Sequence, residues 1–433
     1  MIFNPTAECM PVEERKALQL KKLRETVRRA YENCAFYREK LDRAGVKPDD
    51  IKTLEDIAKI PFTTKAELRE TYPYGLLSVP LSEIKEIHTS SGTTGIPVVG
   101  AYTEHDLQMW GESAARCLAM TGATENDVIQ NGYGYGLFTG GLGIHHGDRT
   151  LGATVIPISA GNTPRHLQML QDFGTTTLTC TPSYALYLAE AAQEAGINLA
   201  ETKLCRGLFG AEPWSENMRL QIEKRLNIKA YDIYGLTEIV GPGVACECTE
   251  QNGLHVQEDF FYPEIIDPET GEVLPEGEKG ELVFTTIDKT GAPLLRYRTK
   301  DITYLFREPC VCGRTTVKIH RLMGRNDDML IIRGVNVFPS QIEEILAATE
   351  GLQPHYQIIV DRTGNHLDSI ELRVEVDESI FSDETKEMEA IRRNLQEVLK
   401  SKLGINTKIT LMEPKSIERS IGKAQRIIDR RKI

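Results

Sequence analysis

Between residues 126 and 230 the chain repeats one pattern: a short apolar strand, a turn of small residues, then a helix. Segments 127–130, 153–158 and 176–179 read as strands, and 163–172, 181–195 and 215–227 as helices. Strands joined through helices predict a mostly parallel sheet, which collects ligands at the carboxyl ends of its strands. The fold class is therefore α/β. A large N-terminal domain with mostly parallel sheets is expected, and its flanks read differently. Residues 11–44 read as one helical run, from Leu20, Leu23, Val27 and Ala30, stopped by Gly45. Thr64 offers a cap before 65–68, and Thr103 with Asp106 a capping box for a helix to about Met120. From 254 to 306 the character is β, with a hairpin turn at 267–271, giving a β subdomain.

Beyond Asp327 the chain reads as a separate small α+β domain. Its predicted elements are a strand at 329–333, a helix at 339–348, strands at 356–360 and 369–376, a helix at 384–403 and a strand at 407–412. A basic tail follows. Ile342, Ile345 and Leu346 give the first of these helices a face for packing on a sheet. The domain division expected is 1–326 and 327–433.

A length of 433 residues supports two or three domains. The net charge of -12 argues against nucleic acid as the main partner, because phosphate-backbone binding needs a basic footprint. No apolar run approaches a membrane span, and the first residues lack an export signal, so a cytoplasmic location is expected. Nine cysteines, an odd number, suit a reducing compartment in which clustered thiols serve a metal.

The stretch 88–97, His-Thr-Ser-Ser-Gly-Thr-Thr-Gly-Ile-Pro, is rich in hydroxyls and glycine. Glycines let successive N–H groups turn toward one point, and Ser and Thr add donors, which suits a polyphosphate. It is not a P-loop, since that spacing and its lysine are missing; a surface turn is the alternative. In the stretch 133–141 aromatics alternate with glycines, a composition for a flat pocket or for a plain loop with packed tyrosines. Tyr234 could stack on a base, Thr237 donate to a phosphate and Glu238 hold magnesium. Asp301 follows a basic strand and can accept from ribose hydroxyls. Gly324-Arg325-Asn326-Asp327-Asp328 opens the junction to the last domain, and Gly422-Lys423 sets a mobile lysine near the end.

Cys246-Glu247-Cys248 with His255, and Cys310-Val311-Cys312, offer soft ligands for tetrahedral zinc. The set chosen is Cys248, His255, Cys310 and Cys312, with Cys246 in reserve. Four ligands and no open position would make the zinc structural.

Taken together, the segments 90–95, 234–238, 296–301, 324–328 and 422–423 resemble the adenylate-forming acyl-CoA ligase superfamily. The segments 131–141 and 329–339 are similar to its phenylacetate–CoA ligase branch. That resemblance implies that Ser90, Ser91, Gly92, Thr93, Thr94 and Gly95 wrap the β,γ-phosphates of ATP. Gly210, Ala211, Glu212 and Pro213 match the adenine-binding strand end. Tyr234, followed by Gly235, would pack on adenine, with Thr237 at the α-phosphate and Glu238 as the Mg²⁺ ligand. Asp301 and Arg325 would hold the ribose. Lys423 would bridge the acyl carboxylate and the α-phosphate. Asp327 matches the hinge of a mobile C-terminal domain, and Gly334 would then lie beside the thiol arm of coenzyme A. Tyr135, Gly136 and Phe138 would wall an aryl-acid pocket. One departure stands out: the family loop continues Gly-Lys-Pro, whereas here it is Gly95-Ile96-Pro97.

The expected activity is ATP-dependent ligation of an aryl acid, phenylacetate first, to coenzyme A through an acyl adenylate. The alternatives are adenylyl transfer to a deazaflavin cofactor without thioester formation, and a non-catalytic nucleotide-binding protein. The resemblance also implies a homodimer.

Overall fold

The computed structural model describes residues 1–90, 96–325, 330–332, 335–362, 368–378, 380–381, 385–403, 405–419 and 426–430. They form two units. One holds Met1–Thr181, Asn198–Ala211 and Ile228–Leu322, the other Pro182–Ile197, Glu212–Asn227 and Met323–Ile433.

In the first unit the alternating pattern becomes the parallel part of a nine-stranded sheet. Its order is Thr154–Ile156, Val128–Asn131, Thr177–Cys180, Arg206–Gly210, Lys229–Leu236, each neighbouring pair parallel. Gly241–Glu247, Leu254–Val256, Lys318–Ile319 and Leu305–Phe306 extend it antiparallel. From Val128–Asn131 the chain crosses to one side, to Thr154–Ile156, and then returns to the other, to Thr177–Cys180. The switch point of the sheet therefore lies between Asn131 and Cys180, where the aromatic loop emerges. A second, antiparallel sheet of Phe261–Ile266, Gly280–Thr286 and Tyr297–Thr303 supplies the β subdomain. Trp110, Tyr102, Tyr234, Phe284 and Tyr297 belong to one core cluster in this unit.

Two expectations change here. The run 11–44 is two helices, Val12–Asn33 and Ala35–Arg43. Cys34 breaks it in an extended conformation (φ −115°, ψ 112°), buried with its thiol on the Gly75 carbonyl at 3.4 Å. The stretch 133–141 is a loop only as far as Phe138, because a helix, Thr139–Leu151, starts inside it. Glycines 140, 141, 143 and 147 mask that helix, each costing about 1 kcal/mol against alanine. Packing explains two of them. A Cβ on Gly143 would lie 2.3 Å from the Trp110 ring, and one on Gly147 2.5 Å from Ala114. Helix Glu104–Met120 can approach this closely only against bare backbone, and it opens with the expected Thr103–Asp106 capping box.

Helix Thr139–Leu151 buries Asp148 completely, with neither carboxylate oxygen hydrogen-bonded among the described residues. Burial pushes this carboxyl well above the usual range. Below about pH 3.9 folded and unfolded chains are both protonated, so nothing is lost there. As pH rises the unfolded form ionises first, and stability falls until the folded pKa is reached, by about 1.4 kcal/mol per pKa unit raised. Asp148→Asn should therefore melt at an increasing advantage over wild type as pH rises from 4. A constant difference across that window would contradict this.

In the second unit Thr407–Met412, Asp368–Val376, Leu352–Arg362 and Ile427–Asp429 form a sheet in that order. Helices Pro339–Ala347 and Thr385–Leu403 accompany it, with Ile342, Ile345 and Leu346 in the core as expected. The basic tail is not only a tail. Ile427 and Ile428 pair in parallel with Ile358 and Ile359, a strand too short to stand out among arginines. Among the described residues no helix is long and apolar enough to cross a membrane.

Candidate active site

Strand Ile84–Thr89 pairs antiparallel with Val99–Thr103, and between them runs the hydroxyl-rich loop. Ser90 closes its base: its N–H donates to the Val98 carbonyl at 2.9 Å, and its Oγ accepts from Val98 N–H at 2.9 Å. Ser91, Gly92, Thr93, Thr94 and Gly95 lie outside the described residues.

At the carboxyl ends of the central strands the backbone is crowded. A Cβ on Gly210 would lie 2.3 Å from the Ile233 carbonyl oxygen, so only glycine fits. Ala211 follows with φ +70°, a conformation few non-glycine residues adopt outside functional turns. Tyr234 is buried, stacked on Phe284 at 6.1 Å, and its hydroxyl donates to Asp301 Oδ2 at 2.6 Å. Asp301 owes its position to a bulge in strand Tyr297–Thr303, where register shifts opposite Glu281 and Val283 and Lys300 takes φ +68°. Thus one phenol and one carboxylate, 67 residues apart, form a unit.

Thr237 Oγ1 lies 3.3 Å from Thr139 Oγ1, at the start of the glycine-rich helix. Glu238 is buried and pairs with Lys65 at 3.0 Å. Lys289 is fully buried, donates to the carbonyl of Ile239 at 2.7 Å and lies 4.6 Å over the Tyr102 ring. Burial pushes its ammonium down to about 8. Sequence reasoning missed both lysines. Lys65 stands directly after the Thr64 cap, which gave it a structural reading. Nothing in the sequence around Lys289 marks it.

In the aromatic loop, Asn131 donates to Tyr135 Oη at 2.9 Å, and that hydroxyl lies 3.1 Å from His145 Nδ1. Burial pushes the Tyr135 phenol up and the His145 imidazolium down, so both favour the neutral form. Gly136 takes φ +135°, and Phe138 is half exposed. Gly235 abuts Gly241, where a Cβ would meet the carbonyl oxygen. Glu212 and Pro213 fall in the second unit, where Glu212 accepts from Ser183 N–H at 2.7 Å. Arg325 closes the short strand Gly324–Arg325. Asp327, Gly334 and Lys423 lie outside the described residues.

The ligating atoms of Cys248, His255, Cys310 and Cys312 all fall within 4.8 Å of one another. Cys248 and Cys310 sulfurs are 3.6 Å apart, as are Cys312 Sγ and His255 Nε2. His255 Nδ1 is held by Thr316 Oγ1 at 3.0 Å, which turns Nε2 toward the sulfurs. Cys246 is not among them. It is buried in the core, its thiol on the carbonyls of Cys117 and Glu247.

The AMP-binding enzyme family model matches residues 83–287, and the AMP-binding enzyme C-terminal domain model matches 334–431. A phenylacetate-coenzyme A ligase of Thermus thermophilus is 48% identical over the whole of both chains. One of Escherichia coli is 47% identical over 98% of this chain and 97% of its own. Among solved structures, 2-hydroxyisobutyryl-CoA ligase in the postadenylation state, in complex with R3-HIB-AMP, superposes with a TM-score of 0.93. It is 30% identical, over 99% of this chain and 92% of that one. With Tyr234 at the end of the central parallel strands bonded to Asp301 of the second sheet, and with likeness running the full length of its relatives, this chain belongs to the phenylacetate–coenzyme A ligase family of AMP-binding enzymes.

Proposed function

We propose that this chain activates an aryl acid, phenylacetate first, with ATP and passes the acyl group to coenzyme A, releasing pyrophosphate and then AMP. The observation that carries the reading is the Tyr234–Asp301 pair in a chain whose full-length relatives are acid–CoA ligases. Tyr234 would lie against the adenine, and its bond to Asp301 would fix that carboxylate to accept from the ribose, which Arg325 would also hold. Gly210, Ala211, Glu212 and Pro213 would border the base, Ser90 to Gly95 the outer phosphates, and Tyr135, Gly136 and Phe138 the aryl ring.

Glu238 offers a hard carboxylate oxygen that would hold Mg²⁺, and Thr237 a hydroxyl that would touch the α-phosphate. When bound, the ion would neutralise charge on the phosphates as pyrophosphate leaves. Lys65 balances the Glu238 carboxylate at 3.0 Å. Lys423 would bridge the acid and the α-phosphate, and rotation of 327–433 about Asp327 would bring Gly334 to the thiol arm in its place.

The four-residue Cys/His group would hold structural zinc. Zinc bound at about 2.3 Å to sulfur and 2.0–2.1 Å to nitrogen sets ligand atoms some 3.5–3.8 Å apart, which the observed 3.6 Å separations match. A homodimer in the cytoplasm remains part of the proposal, and sedimentation tests its first half.

Transfer of AMP to a deazaflavin is the weaker reading, because the relatives matched end to end are thioester-forming ligases by name. The test is ATP–pyrophosphate exchange over a panel of small carboxylic acids, repeated with coenzyme A. Exchange with aryl acids and CoA-dependent release of AMP are expected. AMP retained on the product would support the transferase, and no exchange with any acid would reject the ligase.

A further inference from the structure

One titratable cluster stands outside the groups assigned so far. Glu86 and His88 alternate along strand Ile84–Thr89 on one side, as residues two apart do. His88 is 2% exposed. Its Nδ1 lies 3.2 Å from the carbonyl oxygen of Leu137 in the aromatic loop, and its Nε2 lies 3.2 Å from Glu86 Oε2. The same Oε2 lies 3.2 Å from His146 Nε2, on the helix that continues that loop. Thr89 N–H donates to the same Leu137 oxygen at 2.8 Å. Trp110 walls the cluster, 5.5 Å from each imidazole, and its indole N–H donates to the Pro242 carbonyl at 2.9 Å.

The Leu137 side chain is 62% exposed. The position of this part of the loop is therefore set by what its backbone accepts, and that comes from Thr89 and His88. One carboxylate and two imidazoles tie the strand leading into Ser90 to the end of the loop that carries Tyr135 and Phe138 and to the helix that follows it.

We propose that Glu86, His88 and His146 are positioning residues that couple the acid-facing loop to the nucleotide-facing strand, so that acid and ATP each bind better with the other present. The inference rests on the ligase reading above. Its physical basis is a shared ordering cost: a ligand that stabilises one loop leaves less disorder for the second ligand to remove. Reciprocity follows, because a coupling factor acts equally on both ligands.

The test is the KM for the aryl acid in pyrophosphate exchange at low and at saturating ATP, for wild type, His88→Ala and Glu86→Gln. Wild type should show acid KM falling at least about 5-fold as ATP rises, the lower end of ordinary coupling factors. Both variants should bring that ratio close to one, with acid KM raised at saturating ATP and kcat changed much less. Should His88→Ala fail to fold, Glu86→Gln carries the test, since Glu86 is partly exposed and keeps its size. Folded variants that retain the wild-type ratio, or that lose kcat alone, overturn the proposal and leave the ligase reading standing. A wild-type protein that exchanges with no acid overturns both.

Discussion

Lys423→Ala is expected to lower acid-dependent ATP–pyrophosphate exchange by about 10²–10³-fold, the usual loss when one charge-stabilising donor is removed from a reacting centre. Thioester formation from supplied acyl adenylate should change little. The reason is chemical. In the first step a carboxylate attacks the α-phosphorus, two anions must meet, and charge builds on the oxygens around phosphorus; an ammonium between them stabilises the transition state more than the ground state. In the second step a thiol attacks an acyl carbon and AMP departs, and a different face of the last domain would line the cleft. Single-turnover measurement of each half-reaction separates the two. Equal loss in both would reject a lysine used in only one orientation.

The second large effect is on stability. Cys310→Ser should abolish bound zinc and lower the melting temperature by several degrees, while turnover per folded molecule stays near wild type. Zinc binding contributes about 10–16 kcal/mol to folding in zinc-finger peptides. Only part of that is at stake here, because Leu254–Val256 and Lys318–Ile319 stay paired through the sheet. What the metal would fix is the turn at 310–313, which lies beside Arg314 and its 2.6 Å pair with Glu8 near the chain start. Loss of the site should therefore loosen the first residues as well. Metal analysis and melting curves check this, and an unchanged melting temperature with unchanged metal content would rule out the assignment.

The parallel sheet was legible because strand, small turn and helix recur in order, and strands joined through helices run parallel. The zinc candidates were legible by residue type, but the choice between Cys246 and Cys248 was not. Cys246 ends up on the core side of strand Gly241–Glu247, and Cys248 just past it, where the backbone can turn toward 310–312. Helix Thr139–Leu151 was hidden because its glycines obey packing on Trp110 and Ala114 rather than helix propensity. Lys65 and Lys289 were hidden for another reason. Their partners, Glu238 and the Ile239 carbonyl, lie 173 and 50 residues away in sequence, separations that no local pattern encodes. The Glu86–His88–His146 cluster shares that character: one of its members is 60 residues from the carboxylate it meets.

The most direct test of the ligase account follows an oxygen atom. With phenylacetate labelled with ¹⁸O in both carboxyl positions, together with ATP and coenzyme A, the account predicts one labelled oxygen in the released AMP. The carboxylate oxygen that attacks phosphorus stays on it when the thiol displaces the adenylate. Label absent from AMP, or found in pyrophosphate or ADP, would contradict an acyl-adenylate intermediate.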